Sequence, residues 1–318
     1  MKEVVAGVDI GGTNTVFGLV DRTGNVISQG TLKTVDYPEI NNFVSSLVTA
    51  IHNLVKKKDD LELIGIGIGA PNANYHRGTI EFAPNLAWKG IVPLAELIRK
   101  KIDVPVILTN DAKAAAMGEM IFGGAKNMKN FIVLTLGTGL GSGIVINGEV
   151  VYGHTGFAGE LGHTTVIQGG RDCGCGRQGC YETYASASGL VRTALYMLSE
   201  MREDSMLRDI PPSELTAKKI TEAAGKNDQI AMEALDYTAE NIALGIANAI
   251  AFSSPEAIFL FGGLAQAGEI LFEPVRSYVD QKVFPIFKGT VKILPSGVSE
   301  SNAAVLGAAA LVWNEMIK

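Results

Sequence analysis

The chain has 318 residues, enough for two domains that each bury a core. With 47% hydrophobic and 19% charged residues it is a globular composition, which excludes a disordered chain. Lys+Arg 27 against Asp+Glu 33 gives a net charge of −6, and with no basic block a nucleic-acid backbone is an unsuitable partner. The 37 glycines fall in short clusters, a pattern of tight turns and ligand loops more than of linkers.

The elements alternate between strands and helices. Val4 to Ile10 is a short apolar run that reads as a strand and not as a signal peptide. Gly11-Gly12-Thr13-Asn14 bends the chain into a second strand, Thr15 to Val20, and a third begins at Val26 after the Thr23-Gly24-Asn25 turn. Pro38 opens a helix whose apolar positions Ile40, Phe43, Val44, Leu47, Val48, Ile51, Leu54 and Val55 recur every three or four residues. Strands are expected at Leu63 to Ile68 and Val104 to Thr109, then a helix from Ala112 to Phe122.

The second half repeats this opening. Phe131 to Leu136 is a strand, Gly137-Thr138-Gly139 a bend, Gly141 to Ile146 a strand, and Asn147-Gly148 a hairpin turn. The duplication implies two related domains facing each other across a cleft. The apolar stretch from Phe131 to Val151 is broken by five glycines, too often for a membrane span. A long helix from Asp228 to Phe252, a strand Ala257 to Phe261, Gly262-Gly263 and a last helix from Ala303 to Met316 complete the reading.

Phosphates need several backbone N–H groups aimed at one point, and glycine permits that curvature without a side chain in the way. Gly11-Gly12-Thr13 and Gly137-Thr138-Gly139 each follow a strand and add a hydroxyl; the alternative is two plain tight turns. Asp9, just before the first bend, is placed to bind magnesium directly or through water. No G-x-x-x-x-G-K-[ST] occurs, which excludes a P-loop, and no G-x-G-x-x-G follows the first strand.

All three cysteines, Cys173, Cys175 and Cys180, lie in one short glycine-rich stretch, with His163 upstream. Three thiolates and an imidazole form a standard closed tetrahedral zinc set, hence a structural one. An odd cysteine count without a secretion signal argues against a disulfide framework. Asp111 stands where a strand runs into a helix, the end of a strand where α/β proteins place ligands. There it is either a proton-accepting base for phosphoryl transfer or a helix N-cap. Glu160 and Glu182, flanking the cysteines, either grip hydroxyls or are solvated charges. Asn85, after Pro84, is either a contact or turn chemistry.

Together, Asp9-Ile10-Gly11-Gly12-Thr13, Asn110-Asp111-Ala112, Leu136-Gly137-Thr138-Gly139, Gly159-Glu160-Leu161-Gly162-His163 and the run from Cys173 to Glu182 resemble the ROK family (repressors, open reading frames and sugar kinases), most of all its bacterial glucokinases. The resemblance spans almost the whole chain. It implies an actin-like (ribonuclease H-like) two-domain α/β ATPase fold with the active site in the interdomain cleft. One domain would be 1–111 with the C-terminal helix at about 303–318; the other, 112–302, would carry the zinc loop.

The resemblance further implies ATP-dependent phosphorylation of a hexose, glucose before N-acetylmannosamine, fructose or allose, with Asp111 as catalytic base. Sugar contacts would come from Asn85, Asn110, Asp111, Glu160, His163 and Glu182. Zinc would be held by His163, Cys173, Cys175 and Cys180. The two glycine loops would face the ATP phosphates, with Mg2+ at Asp9, and Gly262-Gly263 would lie near the adenosine. A cytoplasmic enzyme is expected, with no membrane or nucleic-acid partner, and a homodimer in keeping with other members. A sugar-responsive regulator is disfavoured because the first strand begins almost at Met1, leaving no room for a helix-turn-helix. An actin-like assembly or chaperone ATPase would leave the cysteine cluster and Asn110-Asp111 without a purpose.

Overall fold

The computed structural model describes residues 1–58 and 60–317; Lys318, the expected end of the last helix, lies outside the described residues. The strands are β1 (Lys2–Ile10), β2 (Asn14–Val20), β3 (Val26–Lys33), β4 (Leu61–Gly69), β5 (Ala73–Asn74), β6 (Thr79–Glu81), β7 (Ile91–Val92), β8 (Val106–Thr109), β9 (Phe131–Leu136), β10 (Leu140–Ile146), β11 (Glu149–Val150), β12 (Ala257–Phe261) and β13 (Lys292–Pro295). The helices are α1 (Ile40–Lys56), α2 (Leu94–Arg99), α3 (Asp111–Ile121), α4 (Glu182–Ala185), α5 (Ala187–Glu200), α6 (Ala217–Ala224), α7 (Gln229–Ser253), α8 (Glu269–Lys282) and α9 (Glu300–Ile317).

Two five-stranded sheets share one strand order. The first runs β3-β2-β1-β4-β8 and the second β11-β10-β9-β12-β13, so each opening meander is followed by two crossover strands on its far side. The expected repeat is therefore present strand for strand. In both sheets the first strand pairs parallel with the fourth, β1 with β4 and β9 with β12. The Asn147-Gly148 hairpin turn has positive φ at both residues, 53° and 80°, the geometry that matches the strand twist.

The chain divides into two compact units. The first contains Met1–Met128, Gly143–Gly159 and the residues from Ser296 onward; the second contains Lys129–Ser142 and Glu160–Pro295. The expected boundary at Asp111 coincides with the start of α3, but α3 stays with the first unit. The reason is its close packing on α9: a methyl group at Gly118 would lie 3.0 Å from Gly307 Cα.

In the first unit, β1 is buried on both faces. Val4, Ala6, Val8 and Ile10 join Phe43, Val44, Leu47, Val48 and Ile51 of α1 in one core, as the helical spacing of α1 predicts. Val5, on the opposite face, packs with Val305, Ala309, Val312 and Trp313 of α9. On that face several side chains are missing by design. Gly65-Ile66-Gly67-Ile68-Gly69 alternates, isoleucine toward the α1 core and glycine toward the opposite face, where Gly65 and Gly67 meet α9 and Gly69 meets the start of α3. A methyl at Gly7 would stand 2.0 Å from Val305 O, and one at Gly67 would stand 1.9 Å from Ala308 O. The helix backbone therefore lies directly on the sheet.

Gly67→Ala should cost about 3 kcal/mol or more, because the clash is with backbone that cannot rotate away. Gly225→Ala serves as control: its φ is −63° and the nearest atom to an added methyl is at 3.5 Å. Urea unfolding should show a lower midpoint for the first variant and none for the control; equal tolerance of both would mean that the close approach is dispensable.

Candidate functional site

Within the first unit, the parallel strands β1, β4 and β8 end in register, with Asp9 opposite Gly69 and Gly69 opposite Thr109. Asp111 follows two residues after Thr109, so two carboxylates arrive at the same sheet edge. Gly69 leaves the space between them: a methyl there would be 3.6 Å from Asp9 Oδ1 and 3.7 Å from Asp111 Cα. Burial, and then the Asp111 charge, push the Asp9 carboxyl up to about 6.

The competing role for Asp111, helix capping, falls to its neighbour. Asn110 is the N-cap of α3, with φ −61° and ψ 147°, and its Oδ1 accepts the Ala112 N–H at 2.9 Å. Asp111 is the first helical residue, and its Oδ1 shares the same N–H at 2.8 Å. Crowding by surrounding protein raises the Asp111 carboxyl, and the Ala112 N–H, the Lys113 charge and the Asn110 side chain only partly offset this. Its side chain still reaches solvent, which screens the effect. The result is a carboxylate with a proton affinity above the ordinary, at the positive end of a helix.

The first glycine loop and the Asn85 segment touch. Gly11 N–H donates to Asn14 O at 2.9 Å, and a methyl at Gly12 would lie 2.6 Å from Asn85 O. Thr13 and Asn85 are exposed. Two buried anchors hold the segment: Leu86, and Trp88, whose ring lies 4.6 Å from that of Phe43 and whose Nε1 donates to Tyr37 O at 2.9 Å. Glycine at position 12 is thus required by the backbone of the Asn85 segment.

The second unit repeats the edge with different chemistry. β9 and β12 end side by side, Thr135 opposite Phe261, so Gly137-Thr138-Gly139 and Gly262-Gly263 emerge together. Gly137 N–H closes the bend onto Gly139 O at 3.1 Å, and Thr138 is exposed. The Cβ positions of Gly137 and Gly263 face open space. Gly262 has φ 100°, and a methyl there would come within 2.9 Å of Leu136 O, so it needs to be glycine on both counts.

The sulfur–nitrogen cluster forms as the sequence predicts. His163, Cys173, Cys175 and Cys180 present ligand atoms all within 4.8 Å of one another. Cys173 Sγ is 3.6 Å from His163 Nδ1, and Cys175 Sγ is 3.6 Å from Cys180 Sγ. Two thiolates on one tetrahedral zinc stand about 3.8 Å apart, so this donor set fits such an ion. Backbone turns hold the loop: Cys173 N–H donates to Arg177 O at 2.9 Å, and Gly179 N–H donates to Arg171 O at 2.8 Å.

Glu182 joins this cluster to the glycine bend. Its Oε1 accepts from Cys173 Sγ at 3.0 Å and lies 3.6 Å from His163 Nδ1. Its Oε2 accepts the Leu140 N–H at 3.5 Å, and a methyl at Gly139 would lie 2.6 Å from it. Glu160 is exposed, and its carbonyl accepts the His163 N–H at 3.1 Å in the short turn Leu161–His163. The structure thus gathers Asp9, Gly69 and Asp111, and with them the contact of Gly12 with Asn85, in the first unit. In the second it gathers the four ligands, Glu182 and the bend. Gly69 and Arg171 are additions that sequence reasoning missed; the Gly-Ile alternation of β4 was the available signal for the first.

The chain matches the ROK family over residues 5–315. It is 38% identical to the glucokinase of Streptomyces coelicolor over 276 residues, 85% of each chain. It is also 31% identical to the xylose repressor of Caldicellulosiruptor bescii, over 98% of this chain and 79% of the repressor. A crystal structure of the ROK family glucokinase of Streptomyces griseus in complex with glucose and AMPPNP superimposes with a TM-score of 0.81, at 32% identity, covering 97% of this chain and 98% of that one. The two like-ordered sheets are accordingly the mixed α/β, actin-like fold of the ROK sugar kinases. With that fold, both glycine bends, Asn110-Asp111 and the Cys3His cluster in place, the chain belongs to the ROK family.

Proposed function

We propose that this protein is an ATP-dependent hexose kinase, with glucose as its substrate and glucose 6-phosphate as its product. The observation that carries the reading is Asp111: a carboxylate at the end of β8, relieved of the cap position by Asn110 and raised in proton affinity. Glucokinase relatives that span most of the chain, and the glucose complex of the Streptomyces griseus enzyme, support the choice of sugar.

In this reading Asp111 accepts the proton of the attacking sugar hydroxyl as its oxygen bonds to the γ-phosphorus and ADP leaves. Asn85, Asn110, Glu160, His163 and Glu182 orient the sugar. His163 turns Nδ1 toward the cysteines, which leaves Nε2 for a hydroxyl, an arrangement that fixes its tautomer. Gly11-Gly12-Thr13 and Gly137-Thr138-Gly139 cradle the phosphates with backbone N–H groups, and Gly262-Gly263 give the adenosine a surface without side chains. Asp9 would hold magnesium, which neutralises phosphate charge when bound. His163, Cys173, Cys175 and Cys180 would hold zinc, which fixes the sugar-binding loop. The reading extends to a cytoplasmic homodimer that uses free hexose.

ADP release across glucose, N-acetylmannosamine, fructose and allose tests the activity. We expect a clear preference for glucose and a loss of about a thousandfold in kcat for Asp111→Asn, with sugar binding retained. No sugar-dependent release, or a variant within tenfold of wild type, overturns the assignment. A sugar-responsive regulator would bind the sugar in the same panel without releasing ADP.

Asp9 bears on stability as well. A carboxyl raised to about 6 from 3.8 binds its proton more tightly when folded. Stability therefore falls as pH rises through that window and stays low above it. In metal-free buffer Asp9→Asn should stabilise the protein by about 1–3 kcal/mol at pH 7.5, with the gain gone near pH 4, and in Mg-ATP the same variant should abolish turnover. A melting-temperature difference that ignores pH would contradict the shared Asp9–Asp111 environment.

Purified protein should contain about one zinc per chain, the expectation for a closed four-ligand site. Cys175→Ala should lower zinc content, thermal stability and glucose affinity together. Undiminished zinc in that variant would remove Cys175 from the ligand set.

A further inference from the structure

Arg171 lies two residues before the first cysteine of the cluster and has no part in the chemistry proposed above, yet its guanidinium is engaged by three hydrogen bonds and an aromatic ring. Its Nη1 donates to Thr183 O at 2.8 Å and to Gly189 O at 3.2 Å, and its Nη2 donates to Thr193 Oγ1 at 2.9 Å. The guanidinium stacks on Tyr184, 4.6 Å from the ring centroid, and the Arg171 N–H donates to Tyr184 Oη at 2.7 Å. None of these partners is a carboxylate. A half-buried cation is thus held by neutral carbonyls, a hydroxyl and an aromatic face, and burial lowers its affinity for its proton.

The acceptors explain the placement. Thr183 lies in α4, a four-residue helix too short to hold itself, whose first residue is Glu182. Gly189 and Thr193 lie in the first turns of α5. The first residue of α5, Ala187, donates its N–H to Gly137 O at 2.9 Å. The planar fork of Arg171 therefore grips α4 and α5 together. These carry Glu182, which reaches Leu140 N–H, and Ala187, which reaches Gly137. On its own backbone Arg171 accepts the Gly179 N–H, which ties it into the cysteine loop.

We propose that Arg171 is a positioning residue that sets Glu182 and the Gly137–Gly139 bend together, so that sugar contact and phosphate loop are held in one geometry by one guanidinium. The assignment rests on the kinase reading for its kinetic consequence and on the contacts alone for its structural one. Lysine cannot replace it, because a point charge does not span two carbonyls and a hydroxyl at once.

The test compares wild type, Arg171→Lys and Arg171→Ala in zinc content, KM for ATP and for glucose, and amide hydrogen exchange. We expect both variants to keep wild-type zinc and to raise both KM values by about tenfold or more. Faster exchange should appear at 137–140 and 182–189. Added methylguanidinium should restore Arg171→Ala, while methylammonium at equal concentration should not. A lowered melting temperature with unchanged KM values and unchanged exchange in those two segments would overturn the proposal, as would loss of zinc, which would place the effect on the metal ligands. If wild type phosphorylates no sugar, the kinase reading fails, and the exchange comparison still decides the role of Arg171.

Discussion

The first unit is organised by contact between backbones. Gly7 and Gly67 have no side chains, and α9 settles on them with Val305 O and Ala308 O at distances that any Cβ would forbid. That approach sets the height of α9 above the sheet. The helix in turn sets α3: a methyl at Gly307 would lie 2.6 Å from Ala114 O, one turn from the α3 N-terminus. At that N-terminus stand Asn110 and Asp111. The carboxylate is thus aimed through two layers of helix resting on glycine, with rigid elements in place of a loop. On the other side α3 meets β10, where a methyl at Gly143 would lie 2.6 Å from Ala112 O. Four backbone approaches without side chains fix one acid.

The second unit uses a different constraint, a polar one. Its glycine bend is held from behind by Glu182 and by the start of α5, and both are tied to the cysteine loop. This loop contains little apolar material, so packing cannot hold it, and a shared donor set substitutes for a core. The first unit positions its acid by excluding side chains; the second positions its bend by joining polar ones.

Much of this was legible in the sequence because its signals are local. The spacing of α1, the Asn147-Gly148 turn, the cysteine cluster and the duplicated strand–bend–strand unit each lie within a short window, and each is found where expected. Asp111 could not be told from a helix cap, since the two readings differ only in which of two adjacent residues takes the N-cap φ and ψ. The short strands β5 to β7 were not foreseen, because two or three residues carry no periodicity. Nor was α8, in which Pro274 interrupts the helical pattern. Arg171 was invisible for a further reason: its acceptors are main-chain carbonyls up to 18 positions away, and no residue type encodes these.

The route of the chain gives the glycine face of β1 and β4 a consequence during synthesis. α9 follows the whole of Glu160–Pro295, so the strands it covers emerge from the ribosome long before their cover does. Through that interval the first sheet presents Val5, Val20 and a bare row of backbone to solvent on one face. Closing so long a loop is entropically slow, and an uncovered sheet is a site for misassociation. The second unit can complete its own core first. The first cannot close over this face until α9 has emerged, and that helix then meets a groove cut to its backbone.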